Sequence, residues 1–513
     1  MEETGEAIFR DVPRGVPFSA RSSMLPPQAE YLSPASIRGS AALAYAPERL
    51  FLGVIDAAME WAEDERGGRY RYAQGGHLVG VRDDRHAITI AGTRAGKGRS
   101  AIIPNMKRYR GSVLAIDPKG ELALETAKVR AETLGQEVIV VDPFGTTKGA
   151  LAQYERGFNP FAGMPEPGLR EGEPCPLEIE GRLIEDVSLI ADALVVGDQR
   201  NPHWDESART LIEGVALDVA AAPRFAGRRN LVTVRDLIGE GEAEEGTGPV
   251  SMAGLEGWLR VSPVAMARRA AADFFDKPEN EQGSVLSTAR RHLRFMNFRE
   301  ISGSLRRDSF DLADLKRERV TLYLCLPGRH LGTCARWLRL FVNMALQAME
   351  KTDVRPADPV LFVLDEFAAL GPMRQIEDAA GQIAGYGVKL WPILQDLGQL
   401  KALYKERWET FMGNAGVLQF FGNNDLTTLE WISKRIGRTT IEIGRDSNAT
   451  PDQKDAGRGL VDWQTQTVPL LEPHEAALLF GRDDALLRQL VIIGGKIPMI
   501  LQRAYHDRHD AFR

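Results

Sequence analysis

Two short stretches, far apart in the sequence, constrain this protein more than any other feature. The first is the glycine-rich turn Ala91–Gly98, which follows an apolar run and contains Lys97. Backbone N–H groups of such a turn, together with a lysine ammonium, surround a polyphosphate. The second is Pro359–Glu366, an apolar run that ends in Asp365 and Glu366. Carboxylates at the carboxyl end of a buried strand hold a metal ion and polarise a water molecule. The two stretches together predict a protein that binds a nucleoside triphosphate with magnesium and hydrolyses it.

The turn departs in two places from the common phosphate-binding pattern. Ala91 stands where the first glycine is usual, and Gly98 stands where Ser or Thr usually offers a hydroxyl to magnesium. The metal shell must therefore be completed by water, by Thr93 or by Ser100. We expect Lys97 to reach the β- and γ-phosphates, and the glycines to let the backbone approach without Cβ clashes. The predicted nucleotide-binding residues are Gly92, Thr93, Arg94, Ala95, Gly96, Lys97 and Gly98.

The side chains predicted to act in catalysis lie at the ends of neighbouring strands. Asp365 is expected to hold magnesium through water, and Glu366 to orient the attacking water as general base. The next predicted strand ends at Gln395, whose amide can contact the γ-phosphate and report its loss. Simpler interpretations stay open, namely two solvated acids at a strand end and a loop amide bonded to backbone.

The composition is that of a globular protein with room for two or three domains. The chain has 513 residues and a formal net charge of -7, so no overall positive field attracts nucleic acid or anionic lipid. Its three cysteines, Cys175, Cys325 and Cys334, form no CxxC pair and are expected to be reduced core residues. The sequence begins with acidic residues rather than a basic signal segment, and no stretch reaches the ~20 apolar residues that span a bilayer. We therefore expect a cytoplasmic protein without a transmembrane segment of its own.

Periodicity divides the chain into an N-terminal extension, an α/β domain in two parts and a helical insertion. Residues 48–65 have the spacing of one amphipathic helix, and 67–80 suit a hairpin or a linker. From residue 86, short apolar strands alternate with helices, as in a parallel sheet covered on both faces. The predicted domains are an extension at 1–78, a nucleotide-binding domain at 79–165 and 303–513, and an all-α insertion at 166–302.

The same pattern predicts individual elements. A helix is expected at 100–108, kinked by Pro104, and another at 373–384. The acidic, glycine-rich stretch at 239–248 is expected to be a surface loop, and the polar stretch at 447–459 a mobile loop. The strands predicted after residue 86 are 87–90, 112–116, 137–141, 320–326, 359–364, 388–394, 417–421 and 489–493.

Several short motifs, in a fixed order along the chain, resemble those of one family. They are Gly92–Gly98, Asp117–Glu121, Leu364–Phe367, Ile383–Val388, Gln395–Leu400 and Phe421–Asp425. As a set they resemble the type IV secretion coupling proteins, the TraG-type group of the RecA- and FtsK-like motors, over residues 80–505. A loop that ends in Lys-Gly is a variant that this family uses, which fits Gly98.

The resemblance implies an α/β fold: a RecA-like P-loop NTPase domain with a mostly parallel twisted sheet, plus an inserted all-α domain that receives substrates. It implies a homo-hexameric ATPase that uses ATP and Mg²⁺, with the nucleotide between adjacent subunits. The implied partners are DNA, single-stranded and attached to a relaxase, or protein substrates, and the components of a type IV secretion channel. Relatives are usually anchored by transmembrane helices. We therefore expect a peripheral position at the inner membrane through partners, either a separate membrane-anchor protein or the secretion channel itself, while work in the cytosol stays open.

The resemblance leaves one catalytic group without an assignment. A hexameric motor takes a positive side chain from the neighbouring subunit, and some relatives carry that arginine just before Tyr386. In this chain Ala384 and Gly385 occupy that place. The remaining candidates are Arg108, Arg110, Arg290 and Arg291.

Other charged residues have two interpretations each. The basic run Arg290–Arg294 can line a DNA path or form a solvated helix face. His203, Asp205 and Glu206 have metal-ligand chemistry, but the acidic start of a helix explains them better.

The sequence favours an ATP-driven coupling-protein motor that recruits DNA with its relaxase, or protein, and moves it to a secretion or conjugation channel. One alternative is a cytosolic hexameric DNA translocase unrelated to secretion. Another is a nucleotide-binding platform that recruits substrates with little turnover, which Gly98 and the missing arginine keep open.

Overall fold

The computed structural model describes residues 29–64, 67–197, 202–239, 251–307, 310–377, 383–446 and 461–513. The chain forms two compact units. The first combines Met1–Tyr109 with Ile393–Arg513, and the second is Arg110–Pro392.

The strands of the described residues are numbered in chain order. They are β1 (Leu50–Ile55), β2 (Ala58–Glu63), β3 (Arg69–Gln74), β4 (His77–Val81), β5 (Ala87–Ala91), β6 (Val113–Asp117), β7 (Glu137–Val141), β8 (Val320–Cys325), β9 (Val360–Leu364), β10 (Val388–Leu394), β11 (Val417–Phe421), β12 (Arg438–Asp446), β13 (Val461–Pro469), β14 (Arg488–Ile493) and β15 (Met499–Gln502).

The α-helices are numbered in the same way. They are α1 (Pro34–Gly39), α2 (Ile103–Arg108), α3 (Glu121–Lys128), α4 (Leu177–Leu194), α5 (Pro202–Ala221), α6 (Leu231–Gly239), α7 (Met252–Arg260), α8 (Ala265–Phe275), α9 (Glu279–Leu293), α10 (Arg299–Leu305), α11 (Asp314–Arg317), α12 (Gly328–Lys351), α13 (Leu397–Tyr404), α14 (Trp408–Asn414), α15 (Leu426–Ile436) and α16 (Pro473–Leu479).

The first unit contains a mixed sheet around β5. Its strands follow the order β4, β1, β15, β14, β11 and β5, and the last two residues of β10 pair beyond β5. The β11–β5 and β5–β10 pairs are parallel, whereas β11–β14, β14–β15, β15–β1 and β1–β4 are antiparallel. All five residues of β5 are buried, as expected for a strand covered on both faces.

The second unit contains a parallel sheet in the order β10, β9, β6, β8 and β7, to which β10 contributes residues 388–392. These strands are almost continuously apolar and buried, which is typical of parallel sheets with helices on both faces. Parallel pairing brings the carboxyl ends of β6 and β9 to the same edge, where Asp117 and Asp365 lie. The predicted α/β class is confirmed.

Residues 177–305 of the second unit contain the helices α4–α10; the sequence predicted helices at the places of α4–α9 but not α10. Helix α5 is central in this part and packs against α4, α8 and α9. Its residues Leu211–Ala221 are all buried. A helix that is buried on every side must be surrounded by other helices, so this part has a core of its own.

The predicted helix at 48–65 is wrong, because these residues form β1 and β2. The apolar residues that fit a helical face also fit a buried strand, and periodicity alone does not separate the two. Long-range pairing decides the outcome, since β1 pairs with β15 through Val54 and Gln502. A Cβ at Gly53 would lie 2.8 Å from the Gln502 carbonyl oxygen, so the glycine permits this close approach.

Several other predictions can be compared with the structure. The hairpin, one of two alternatives at 67–80, is wrong: β3 and β4 lie there, but β3 pairs with β2 and β4 with β1. The helix at 100–108 begins as a π-helix at Gly98–Ile102 and becomes α2 at Ile103, next to Pro104, which has no N–H to give. The sequence did not predict the β12–β13 pair or β15.

Some predicted segments lie partly or wholly outside the described residues. These are the loop at 447–459, nearly all of the loop at 239–248, and the middle of the helix at 373–384, of which 374–377 are helical.

The predicted state of the cysteines is confirmed, because Cys175, Cys325 and Cys334 are free and buried. In the part of the chain that the structure describes, none of the helices is both long and apolar enough to cross a bilayer.

Candidate nucleotide and metal site

The glycine-rich turn follows β5 and is fixed by close backbone contacts in the first unit. A Cβ on Gly92 would lie 1.8 Å from the carbonyl oxygen of Gly422, so no larger residue fits. The Gly92 N–H donates to the Phe421 carbonyl at 3.1 Å, and the Ala95 N–H donates to the Gly92 carbonyl at 3.1 Å. The turn is therefore held in one conformation by the neighbouring strand β11 and the glycine that follows it.

The second half of the turn opens into a helix. Arg94 and Gly96 have left-handed backbone angles, with φ of 58° and 87°. Lys97 precedes the π-helix that starts at Gly98, and a Cβ on Gly98 would meet nothing within 4 Å. A turn followed by a helix N-terminus presents N–H groups and a positive dipole end, which is the arrangement that binds phosphate.

The structure brings Gln395 to this turn. Gln395 directly follows β10, and its Oε1 accepts a hydrogen bond from the Thr93 hydroxyl at 3.1 Å. The Asn423 side chain donates to the Gln395 carbonyl at 3.1 Å. The amide predicted to sense the γ-phosphate therefore lies within hydrogen-bond reach of the turn.

The two hydroxyls considered for the magnesium shell differ in their surroundings. Ser100 is 3 % exposed and its hydroxyl donates to the Gly96 carbonyl at 2.9 Å, inside the helix. Thr93 is exposed and its hydroxyl donates to Gln395. Thr93 is therefore the more accessible of the two, since its oxygen keeps lone pairs for a ligand.

A buried arginine lies behind the turn, and the sequence did not predict it. Arg503, 1 % exposed, donates from Nη1 to the Ala95 carbonyl at 2.6 Å and from Nε to the Leu487 carbonyl at 3.2 Å. Its guanidinium carbon lies 5.1 Å from the centre of the Phe421 ring. Burial lowers the pKa of Arg503, although an arginine in a protein stays charged. Arg503 thus places a cation directly behind the predicted phosphate-binding backbone.

The acidic pair lies in the second unit, at the end of β9. All five residues of β9 are buried, whereas Asp365 and Glu366 are half-buried. Glu366 has a left-handed backbone with φ of 53°, and its N–H donates to Asp365 Oδ1 at 3.0 Å. A non-glycine residue in this region is uncommon and often marks a functional site. The short 3₁₀ turn Phe367–Leu370 follows.

Asp117 is a further acid beside this pair, although the sequence assigned it no role. It ends β6, which pairs with β9 through Ile116 and Leu364. Burial, with a smaller contribution from the charge of Asp365, raises the pKa of Asp117 to about 6 against the opposing effect of N–H groups such as that of Ala123, at 2.9 Å. Carboxylate oxygens are the ligands that magnesium prefers, so Asp365 with Asp117 nearby fits a magnesium ion.

Three of the four arginines considered for charge stabilisation have partners inside the described chain. Arg108 donates to the Ala511 carbonyl, Arg290 donates to the Ile238 carbonyl at 2.9 Å, and Arg291 donates to Asp205 at 2.8 Å. Asp205 is buried and also accepts from His292 at 2.9 Å. Its oxygen is therefore engaged by cationic and imidazole donors rather than directed at a metal ion.

The chain resembles known proteins in sequence. A family model described as type IV secretory system conjugative DNA transfer matches residues 54–512. The chain is 28% identical to a conjugal transfer protein TraG of Escherichia coli over 414 residues, covering 77% of this chain and 62% of that protein. It is 28% identical to a protein VirD4 of Rhizobium rhizogenes over 435 residues, covering 82% and 59%.

Solved structures share the fold. A structure of the plasmid coupling protein TrwB with a non-hydrolysable ATP analogue superposes with a TM-score of 0.59 at 14% identity, covering 97% of this chain and 98% of that one. A TrwB structure with ADP and Mg²⁺ gives 0.56 at 15% identity, covering 84% and 88%. The chain spans about six-tenths of the length of the curated relatives it matches.

Proposed function

Since this chain belongs to the family of type IV secretory proteins for conjugative DNA transfer, we propose that it is an ATP-driven coupling motor. It recruits DNA with its relaxase, or protein, and delivers this cargo to a type IV secretion or conjugation channel. The observation that carries the proposal is the turn after β5, closed by the Gly92–Gly422 contact and linked through Thr93 to Gln395. Such a turn binds polyphosphate, and the amide beside it can respond to the terminal phosphate.

Each predicted side chain has a role in this proposal. Lys97 and the N–H groups of the turn hold the phosphates of ATP, and Gln395 responds to the γ-phosphate. Asp365 holds magnesium, directly or through water, and Glu366 accepts a proton from the attacking water. A bound magnesium ion supplies charge neutralisation at the phosphates. TrwB, a protein of the same fold, has been solved with an ATP analogue and with ADP and Mg²⁺, which supports ATP and magnesium as the ligands.

The assembly and the partners are part of the proposal. The matched relatives are named for conjugal transfer, which supports DNA and channel components as partners. A homo-hexamer is proposed because motors of this kind complete the site between subunits. We also propose that partners hold the motor at the inner membrane.

One observation favours a second candidate, a recruitment platform that binds nucleotide with little turnover. Gly98 has no hydroxyl for magnesium, and Ser100 directs its hydroxyl to the Gly96 carbonyl. A weaker metal shell slows hydrolysis while leaving nucleotide binding intact. Turnover is therefore the quantity that separates the two candidates.

The test is ATP hydrolysis by the purified full chain with Mg²⁺, with and without single-stranded DNA, together with a mass measurement under the same conditions. We expect hydrolysis by an assembled oligomer, and a loss of about 100-fold or more in kcat for Lys97→Ala and Glu366→Gln. Glu366→Gln should still bind ATP, because the turn is unaltered. ATP binding without hydrolysis by the wild type favours the platform, and normal hydrolysis by both variants refutes the residue roles.

A further inference from the structure

Arg339 on α12 joins two parts of the second unit through one buried guanidinium. The residue is 5 % exposed. Its Nη1 donates to the carbonyls of Leu370 and Pro372, at 2.7 and 2.8 Å, and its Nε donates to the Ala193 carbonyl at 3.1 Å. Leu370 and Pro372 follow the acidic pair, whereas Ala193 lies at the C-terminal end of α4. Arg339 therefore contacts both the segment that follows the acidic pair and the helical part.

The segment between the acidic pair and Pro372 has a backbone conformation that contacts from other residues must hold. Glu366 and Gly371 both have left-handed backbones, with φ of 53° and 68°, on either side of the 3₁₀ turn Phe367–Leu370. A left-handed non-glycine residue persists only where its surroundings enforce it. Arg339 supplies such a constraint, because it binds the carbonyls on both sides of Gly371.

Arg336, one turn earlier on α12, makes the comparable contact without the acidic segment. Its Nε donates to the Leu194 carbonyl at 2.8 Å, and its Nη2 contacts His292 Nδ1 at 3.2 Å. His292 Nε2 in turn contacts Asp205 at 2.9 Å. Both arginines therefore place a cation at the negative end of α4, but Arg336 links it to α9 and α5, and Arg339 links it to the acidic segment.

We propose that Arg339 is a positioning residue for ATP hydrolysis, which holds Glu366 in its working conformation and couples the acidic segment to the end of α4. The inference rests on the proposed function. The Nη1 and Nε groups belong to one rigid planar guanidinium. Arg339 therefore cannot move with the Leu370 and Pro372 carbonyls without displacing its hydrogen bond to the Ala193 carbonyl. A shift of the acidic segment when nucleotide binds therefore also moves the end of α4. Conversely, a substrate bound by the helical part changes the position of Glu366 through the same contact.

The experiment compares Arg339→Gln and Arg339→Lys with the matched control Arg336→Gln. Both glutamine variants remove a donor from the end of α4, but only the first also frees the acidic segment. We expect Arg339→Gln to lower kcat for ATP about 10-fold, with KM for ATP within about 2-fold of wild type, since the phosphate-binding turn is untouched. Arg339→Lys should have an intermediate kcat, because one ammonium can donate to the acidic segment or to the Ala193 carbonyl but not to both. The ratio of kcat with and without single-stranded DNA should fall in Arg339→Gln and persist in Arg336→Gln.

Thermal unfolding of all variants shows whether each is folded, and Arg339→Lys carries the test if Arg339→Gln is not. Equal losses of kcat in the two glutamine variants would overturn the proposal, because a general weakening of α4 would then suffice. Unchanged kcat in both Arg339 variants, or a loss confined to KM, overturns it too. A wild type that binds ATP without hydrolysing it overturns the proposed function and this inference together, whereas the other results leave the proposed function intact.

Discussion

The glycine-rich turn and the acidic segment are held in place by different physical means. The turn is fixed by backbone packing, since Gly92 meets the Gly422 carbonyl and leaves no room for a side chain. The acidic segment is fixed by polar side chains: Asp117 lies beside Asp365 with a raised pKa, and Arg339 binds the carbonyls beyond Glu366. Steric contacts of the first kind do not depend on pH, whereas contacts of the second kind depend on charge. The turn and the acidic segment should therefore fail in different ways.

The largest effect is expected for Gly92→Ala. The new Cβ would lie 1.8 Å from the Gly422 carbonyl oxygen, so the turn or the backbone that follows β11 must move. We expect ATP affinity to fall by about 100-fold or more, because phosphate binding needs the N–H groups in place. Titration calorimetry with the ATP analogue measures the loss. Unchanged affinity in this variant would show that the turn adapts, and the contrast between steric and electrostatic control would disappear.

A smaller loss of ATP affinity is expected for Arg503→Met. The substitution removes the buried cation and leaves the Ala95 carbonyl without this donor. Losing a charged donor to a buried carbonyl costs on the order of 1–3 kcal/mol, so we expect ATP affinity to fall about 10-fold. Adenosine affinity should change less, since the neutral ligand does not feel the lost charge.

The control for this variant is Arg488→Met. Arg488 lies in the same unit and pairs with the carboxylate of Asp484 at 2.7 Å, and among the described residues its contacts do not include the turn. Equal losses of ATP affinity in the two variants would assign the effect to general charge reduction rather than to Arg503.

Asp117→Asn tests the electrostatic control of the acidic segment through the pH dependence of the unfolding free energy. A carboxyl with a pKa raised to about 6 in the folded protein, against 3.8 as its ordinary value, makes folding less favourable as pH rises between these values. Asparagine does not titrate. The unfolding free energy of the variant minus that of wild type should therefore increase from pH 4 to pH 6 and then level off, by on the order of 2 kcal/mol. Urea unfolding across this pH range measures the difference, and a flat or falling difference contradicts the raised pKa.

Local patterns predicted the parts of this molecule that are set by local rules. Strand β5, the turn, the acidic end of β9 and the position of Gln395 follow from apolar runs that end in polar or glycine-rich residues. The helices α4–α9 follow from strong helical periodicity. The roles of the turn, the acidic end of β9 and Gln395 in binding and hydrolysis stay predictions.

What the sequence did not predict depends on partners that are distant in the chain. Strand β1 looks helical by spacing and becomes a strand because β15 pairs with it. In the sequence, nothing distinguishes Arg503 from an ordinary surface arginine, and only the fold shows its contact with the Ala95 carbonyl. The proximity of Asp117 to Asp365 needs the parallel pairing of β6 with β9, which no local pattern contains. Tertiary contacts override local preference in each of these cases.

The smallest effect is expected for Gly98→Ala, which is the counterpart of Gly92→Ala in the same turn. A Cβ at Gly98 meets nothing within 4 Å, so the glycine there is not required by packing, and alanine favours the helix that begins at this residue. We expect unchanged ATP affinity and a gain in unfolding free energy of at most about 1 kcal/mol. Gly98→Ser adds the hydroxyl that the common pattern provides, and it should lower the Mg²⁺ concentration needed for half-maximal hydrolysis without altering the fold. If Gly98→Ala instead abolished ATP binding, both glycines would be needed for the close approach of phosphate, and packing against Gly422 would no longer explain why Gly92 alone is irreplaceable.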